Sequence, residues 1–225
     1  MTDLAIDMAV VDDELREEGL PYLHQRKYLA KWSLLKETFP EFDRIRPWPR
    51  LHVEVGCGRA LHLLELAPRN PDTFFLGIER VARRFRAASR RAEAAGVPNL
   101  LIVRRDVIPL VAFNFADNCV DRYDFFYPDP WPRHRHRRRR WYRHPFILEI
   151  LRTLKPGGTL FFTSDQPAYV QEAAWLLVHR MGCGLVRLAP VSPESRRTHF
   201  EIKYLAQGRP LYELELRKSV GTFEG

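Results

Sequence analysis

Cysteine is scarce in this chain, long apolar runs are missing, and one segment has no acids at all. Each shortage excludes something. The three cysteines, Cys57, Cys119 and Cys183, are odd in number and form no metal-spaced pair. That fits a reducing cytoplasm and argues against a disulfide framework or a zinc site, so no metal is expected. No apolar stretch approaches the length that spans a bilayer, and the N-terminus shows no signal-peptide pattern, so no membrane partner is expected. No Gly-Lys-Ser/Thr phosphate loop occurs, which leaves ATP hydrolysis without support. Between residues 132 and 143 there are seven arginines and no Asp or Glu.

What is present is a soluble, basic chain. Its 225 residues suit one domain with an appendage, and the net charge is +8. Residues 1–20 hold seven acids and one arginine, a net of −6, so the remainder carries +14. A basic body of this kind meets a phosphate backbone or an anionic surface. Its basic residues form no amphipathic membrane helix, which favours nucleic acid. The acidic leader, residues 1–20, is expected to be a mobile tail, and residues 21–50 a helix followed by a stiff Arg46-Pro47-Trp48-Pro49 connector.

Beyond the connector, strand and helix signals alternate. Residues 51–55, 74–79, 100–103 and 123–127 read as strands, with further strands at 159–164, 185–188 and 211–216. Helices are expected at 60–67, 145–154 and 167–181. Another carries Val81, Phe85, Ala88, Ala92 and Ala95 on one face, and Gly96 and Pro98 stop it. This alternation predicts an α/β fold, a mostly parallel sheet with helices on both faces.

Acids punctuate the strand ends. Glu54-Val55-Gly56-Cys57-Gly58 follows the first strand and serves equally as a tight turn or a cofactor loop. Glu79 ends the second strand, 21 residues after Gly58, where an acid can accept from ribose hydroxyls. Asp106 follows the third strand. Tyr127-Pro128-Asp129-Pro130-Trp131 follows the fourth and runs into the arginine segment. Ligands collect at the carboxyl ends of strands in such sheets, so four acids there predict one crevice. Arg135, Arg137, Arg138, Arg139 and Arg140 match phosphate oxygens as forks, although a solvated basic run is the alternative. Arg83, Arg86 and Arg90 offer a second basic face with the same two readings. Thr198-His199-Phe200-Glu201 is a capping box for a helix ending at Gly208, or a hydroxyl and carboxylate facing a base, and the two can coexist.

Together these pieces resemble the bacterial tRNA guanine-N7 methyltransferase family. The resemblance spans residues 51–218, leaving 219–225 as a tail. It rests on the motifs already quoted and on Phe75-Leu76-Gly77-Ile78-Glu79, Lys155-Pro156-Gly157-Gly158 and Thr163-Ser164-Asp165. It implies the Rossmann-like class I methyltransferase fold with a seven-stranded sheet, S-adenosyl-L-methionine as cofactor, tRNA as partner, and methylation of a variable-loop guanosine at position 46. It implies that Glu54, Gly56, Glu79, Asp106 and Asp129 line the cofactor site, with Asp129 also at the methyl-transfer centre. Arg133, Asp165, Thr198 and Glu201 would hold the guanosine.

Three positions depart from the family pattern. Ala60 replaces a frequent glycine, Arg133 a lysine, and Gln166 an aromatic or amide. The competing readings are a methyltransferase of this fold acting on another RNA base, and a non-catalytic RNA-binding protein on the same scaffold. Monomer and homodimer remain equally open.

Overall fold

The computed structural model describes residue 33 and residues 38–220. The acidic leader and nearly all of the helix expected over 21–41 lie outside the described residues. The chain enters through a turn at 40–41 and a short helix α1 (Phe42–Ile45). Then follow β1 (Arg50–Val55), α2 (Leu61–Leu66), a 3-10 turn (Ala67–Arg69), β2 (Thr73–Ile78), α3 (Ala82–Ala95) and β3 (Leu100–Val103). Next come α4 (Val107–Asn114), β4 (Val120–Phe126), a second 3-10 segment (His134–Arg139), α5 (Phe146–Thr153) and β5 (Leu154–Ser164). The last elements are α6 (Pro167–His179), β6 (Gly184–Pro190), α7 (His199–Leu205) and β7 (Tyr212–Arg217).

The seven strands form one sheet in the order β3-β2-β1-β4-β5-β7-β6. Neighbours from β3 to β5 are parallel, whereas β7 runs antiparallel to both β5 and β6. The order reverses between β1 and β4, so their carboxyl ends part there and leave a crevice.

Strand alternation sorts side chains to two faces. Val53, Leu76, Tyr123, Phe162 and Leu214 point to one, where they meet α4, α5 and α6 in the main core. Phe75 and Ile102 point to the other and pack on Leu63 of α2 and Ala88 of α3. That second packing is tight at Gly77. A Cβ there would lie 2.7 Å from Ile102 Cδ1 and 2.8 Å from both Cys57 Sγ and Leu63 Cδ1. Gly77→Ala is therefore expected to destabilise the protein by about 1–3 kcal/mol, the usual cost of overpacking. A lowered urea midpoint at unchanged slope checks this.

Several expectations are corrected. The α3 stripe is buried at Ala88, but Val81 and Ala95 at its ends are exposed. The turn at Pro156-Gly157-Gly158 lies inside β5, whose pairing with β4 shifts register there. Helix α4 has no counterpart among the helices expected from sequence. It is apolar all round and contains Pro109, which hides its period. Proline is tolerated in a first turn, where backbone N–H groups have no intrahelical acceptor.

Candidate active site

The first half of the crevice is built at the end of β1. Gly56 and Cys57 both donate backbone N–H groups to Ile78 O, at 2.8 and 3.1 Å, folding the loop back against β2. Gly56 (φ +74°) and Ala60 (φ +56°) are left-handed. The alanine departure therefore stands where the backbone does require positive φ, a conformation that disfavours a Cβ. Glu79 ties the loop down from below. Its two oxygens accept from Gly58 N at 3.1 Å and Val81 N at 2.7 Å. Asp106 is exposed and caps α4, accepting from Ile108 N at 3.0 Å.

Glu54 differs from these. It is buried, and its Oε2 has no hydrogen-bond partner. Burial, with Asp124, Glu201 and Glu79 nearby, raises its carboxyl well above the ordinary value. A buried acceptor without a donor is costly unless something supplies one. Space above the loop is open, because a Cβ on Gly56 would meet nothing within 4 Å. An orphaned carboxylate oxygen beside an open glycine loop fits a cationic, hydroxyl-bearing nucleoside cofactor.

The second half lies at the ends of β4 and β5. Tyr127 (φ +50°) turns out of β4 and donates its N–H to Thr163 O at 3.1 Å. The following Pro128-Asp129-Pro130-Trp131 loop is held from behind by its backbone. Asp129 O accepts from Tyr169 at 3.2 Å, and Pro130 O from Arg140 Nε at 3.1 Å. Arg140 and Arg143 both pair with Glu172 of α6. The Asp129 side chain, by contrast, is exposed. A fixed backbone thus presents a solvent-facing carboxylate. Asp165 is half-buried just beyond β5, and Arg133 is exposed at the entry to the 3-10 arginine segment.

Five consecutive sheet positions therefore carry an acid at or just beyond the strand end: Asp106, Glu79, Glu54, Asp129 and Asp165. The expected row of acids along one edge of the sheet is present. Two assignments change. The sequence suggests Arg140 for the RNA backbone, but it is buried and paired with Glu172, so it anchors the loop instead. The resemblance has Glu201 facing a base, but it is wholly buried. Thr198 does cap α7, accepting from Glu201 N at 3.1 Å, whereas Glu201 reaches back to Arg197 N rather than Thr198 N. Arg135, Arg138 and Arg139 are exposed and Arg137 is half-buried. Arg139 lies over the Trp131 ring at 4.9 Å.

Sequence reasoning misses a polar cluster beneath the crevice. His52 Nε2 lies 2.7 Å from Asp124 Oδ2, His62 Nε2 3.3 Å from the same oxygen, and Arg122 Nε 2.7 Å from Oδ1. Burial alone would raise the Asp124 carboxyl, but His52 and Arg122 hold it well below its ordinary value. Burial holds His52 below its ordinary value. The ligand atoms of His52, His62 and Asp124 lie within 4.8 Å of one another, a spacing open to a cation, but Arg122 already supplies the charge Asp124 needs. The available signal is the alternation His52/Glu54 and Arg122/Asp124 along the first and fourth strands.

Glu54 also gives a test. Its raised pKa means the folded state binds the proton more tightly than the unfolded state, so this group costs stability as pH rises above its unfolded value near 4.5. Glu54→Gln is expected to stabilise the unliganded protein at pH 8, with the gain vanishing near pH 4. It should weaken cofactor binding about 10–100-fold, the worth of a hydrogen bond to a charged group. Thermal unfolding at both pH values and calorimetric titration read the two effects.

The family model described as "Putative methyltransferase" matches residues 49–214. A tRNA (guanine-N(7)-)-methyltransferase of Halorhodospira halophila is 30% identical over 90% of this chain and 92% of its own length. Its namesake in Limosilactobacillus fermentum is 28% identical over 82% and 94%. Among solved structures, the 16S rRNA methyltransferase KamB superposes with a TM-score of 0.63 at 18% identity, over 82% of this chain and 95% of that one. The fold, the crevice at the β1/β4 switch and these matches lead to one conclusion: the chain belongs to the methyltransferase family that includes the tRNA (guanine-N(7)-)-methyltransferases.

Proposed function

We propose that this protein transfers a methyl group from S-adenosyl-L-methionine to N7 of a guanosine in tRNA, at position 46 of the variable loop, and works in the cytoplasm. The observation that carries the reading is the Asp129 loop. A buried network holds its backbone, its carboxylate faces outward, and an arginine segment continues it.

The residues suit this chemistry. Guanine N7 is an acceptor with a lone pair and no proton, so its attack needs no general base. When bound, S-adenosyl-L-methionine supplies an electrophilic methyl group, and Glu54, Gly56, Glu79 and Asp106 would hold it. Methylation makes the guanine ring cationic. A fixed carboxylate at Asp129 opposes that charge as it develops. Arg133 and Asp165, at the loop's far end and on the neighbouring strand, would orient the guanosine, with Thr198 at the rim. Orientation matters because in-line placement is most of what this reaction requires.

Affinity for tRNA would come chiefly from arginine–phosphate contacts. Replacing Arg135, Arg138 and Arg139 with alanine is expected to flatten the plot of log affinity against log salt by about 0.7–0.9 for each phosphate no longer neutralised. Cofactor affinity should stay unchanged. Filter binding across a salt series reads the slope.

The reaction itself is tested with unmodified tRNA transcripts and methyl-labelled cofactor. Label entering tRNA is the expected result. Cofactor binding without label would refute tRNA as substrate, and no cofactor binding would favour the non-catalytic RNA-binding alternative.

A further inference from the structure

Glu201 is held on every side. Its Oε1 accepts from Tyr127 OH at 2.9 Å and from Arg197 Nε at 3.0 Å. Its Oε2 accepts from Ser195 Oγ at 2.7 Å and from Arg197 N at 3.0 Å. A carboxylate offers about four lone-pair sites, so these donors fill it. The residue is 0% exposed. A guanine N–H could reach this carboxylate only by displacing a bond it already makes.

The donors come from separate parts of the chain. Tyr127 follows β4 directly and immediately precedes Pro128-Asp129. Ser195 and Arg197 lie in the loop between β6 and α7. Arg197 also pairs with Glu213 of β7 at 3.0 Å, and its guanidinium lies over Phe126 at 5.4 Å and Phe161 at 5.0 Å. Arg187 meets the other oxygen of Glu213 at 3.0 Å. Charges thus alternate along Arg187, Glu213, Arg197 and Glu201, which balances two largely buried carboxylates. The Tyr127 ring stacks on Phe200 of α7, with centroids 4.2 Å apart at 22°. Burial, then the neighbouring Glu201, raises the Tyr127 phenol above its ordinary value, so it remains a donor.

We propose that Tyr127 and Arg197 are positioning residues for methyl transfer. Through Glu201 they latch α7 and its preceding loop onto the end of β4, and so set the aim of the Asp129 loop and of Thr198. Glu201 is the hub of this latch. Tyr127 is the most telling member. Its left-handed backbone (φ +50°) gives the chain its direction into Pro128-Asp129, and its hydroxyl and ring are both anchored on α7 or its capping residues. A misplacement of about 1 Å at a reacting centre can cost on the order of 100-fold in rate.

The inference rests on the tRNA methyltransferase reading, and its test separates the two. Steady-state methylation of tRNA is compared for the parent protein, Tyr127→Phe, Glu201→Gln, the double variant and Arg197→Lys. Tyr127→Phe removes one hydroxyl and keeps the stacked ring. It is expected to lower kcat about tenfold, with KM for tRNA and cofactor affinity within about twofold. Glu201→Gln should do the same, and the double variant should be no slower than Glu201→Gln alone, because the two groups act as one unit. Arg197→Lys, which keeps the charge but loses the fork, should also lower kcat at unchanged KM. Parent-like kcat for Tyr127→Phe, or losses that multiply in the double variant, would overturn the latch. Should Arg197→Lys fail to fold, the Tyr127→Phe comparison still decides. An inactive parent protein would instead overturn the function on which the inference rests.

Discussion

Asp129→Asn is expected to lower kcat for methyl transfer by about 10²–10³-fold, the usual loss when one fixed electrostatic partner of a transition state is removed. The reason is placement. The Asp129 carbonyl is tied to Tyr169 and the next residue's carbonyl to Arg140, so the loop cannot relax to substitute another group. The side chain itself is exposed and available to substrate. Asparagine keeps its size and can still hydrogen-bond a base, but it does not oppose the positive charge that methylation creates on the ring. Because that charge is absent in the ground state, tRNA affinity should be nearly unchanged, and kcat and kcat/KM should fall together. Single-turnover kinetics at saturating cofactor measure the chemical step directly. Full turnover in the asparagine variant would reduce Asp129 to a residue that merely orients.

The second large effect is on stability. Glu172→Ala is expected to cost about 3–5 kcal/mol, because it removes the carboxylate that both buried guanidinium groups share. Arg140 is 8% exposed, Arg143 7% and Glu172 6%, so water cannot replace the missing carboxylate. This differs from the exposed pairs elsewhere, such as Arg69–Glu65, whose removal should be nearly silent. The same variant should loosen the Pro130 carbonyl from Arg140 and so disturb the Asp129 loop. Urea denaturation gives the stability, and methylation at a temperature where the variant is still folded gives the effect on the loop. Ordinary stability would mean that Arg140 and Arg143 find another partner.

Most of the fold is legible in the sequence because parallel strands buried on both faces read as short apolar runs. Leu100–Val103 is matched end to end, and Gly96 closes α3 in the left-handed conformation that a helix stop requires. Helix α4 is hidden because Val107 to Phe113 are all apolar, so no polar face marks a period. The acids at the strand ends are legible because an acid stands out against an apolar run, whether it faces solvent, as Asp106 and Asp129 do, or is buried, as Glu54 and Glu79 are. What cannot be read is which side chains turn inward. Arg140 is one of seven arginines that look alike in sequence, and burial against Glu172, 32 residues away, sets it and Arg143 apart from the exposed ones. Glu201 looks like part of a capping box, and it is the Tyr127 and Arg197 contacts that give it another task. Asp124 is concealed inside a run read only as a strand, because its partners His52 and Arg122 meet it across or along the sheet.

The central claim is methylation at N7 of a variable-loop guanosine. Its most direct test is to incubate the protein with an unmodified tRNA transcript and methyl-labelled S-adenosyl-L-methionine, then to cleave the product with borohydride and aniline, which cut at N7-methylguanosine. A single cut at position 46 is expected, and at early times it should be about 10²–10³-fold weaker in the Asp129→Asn reaction. Label that enters the tRNA without a cut at that guanosine would contradict it.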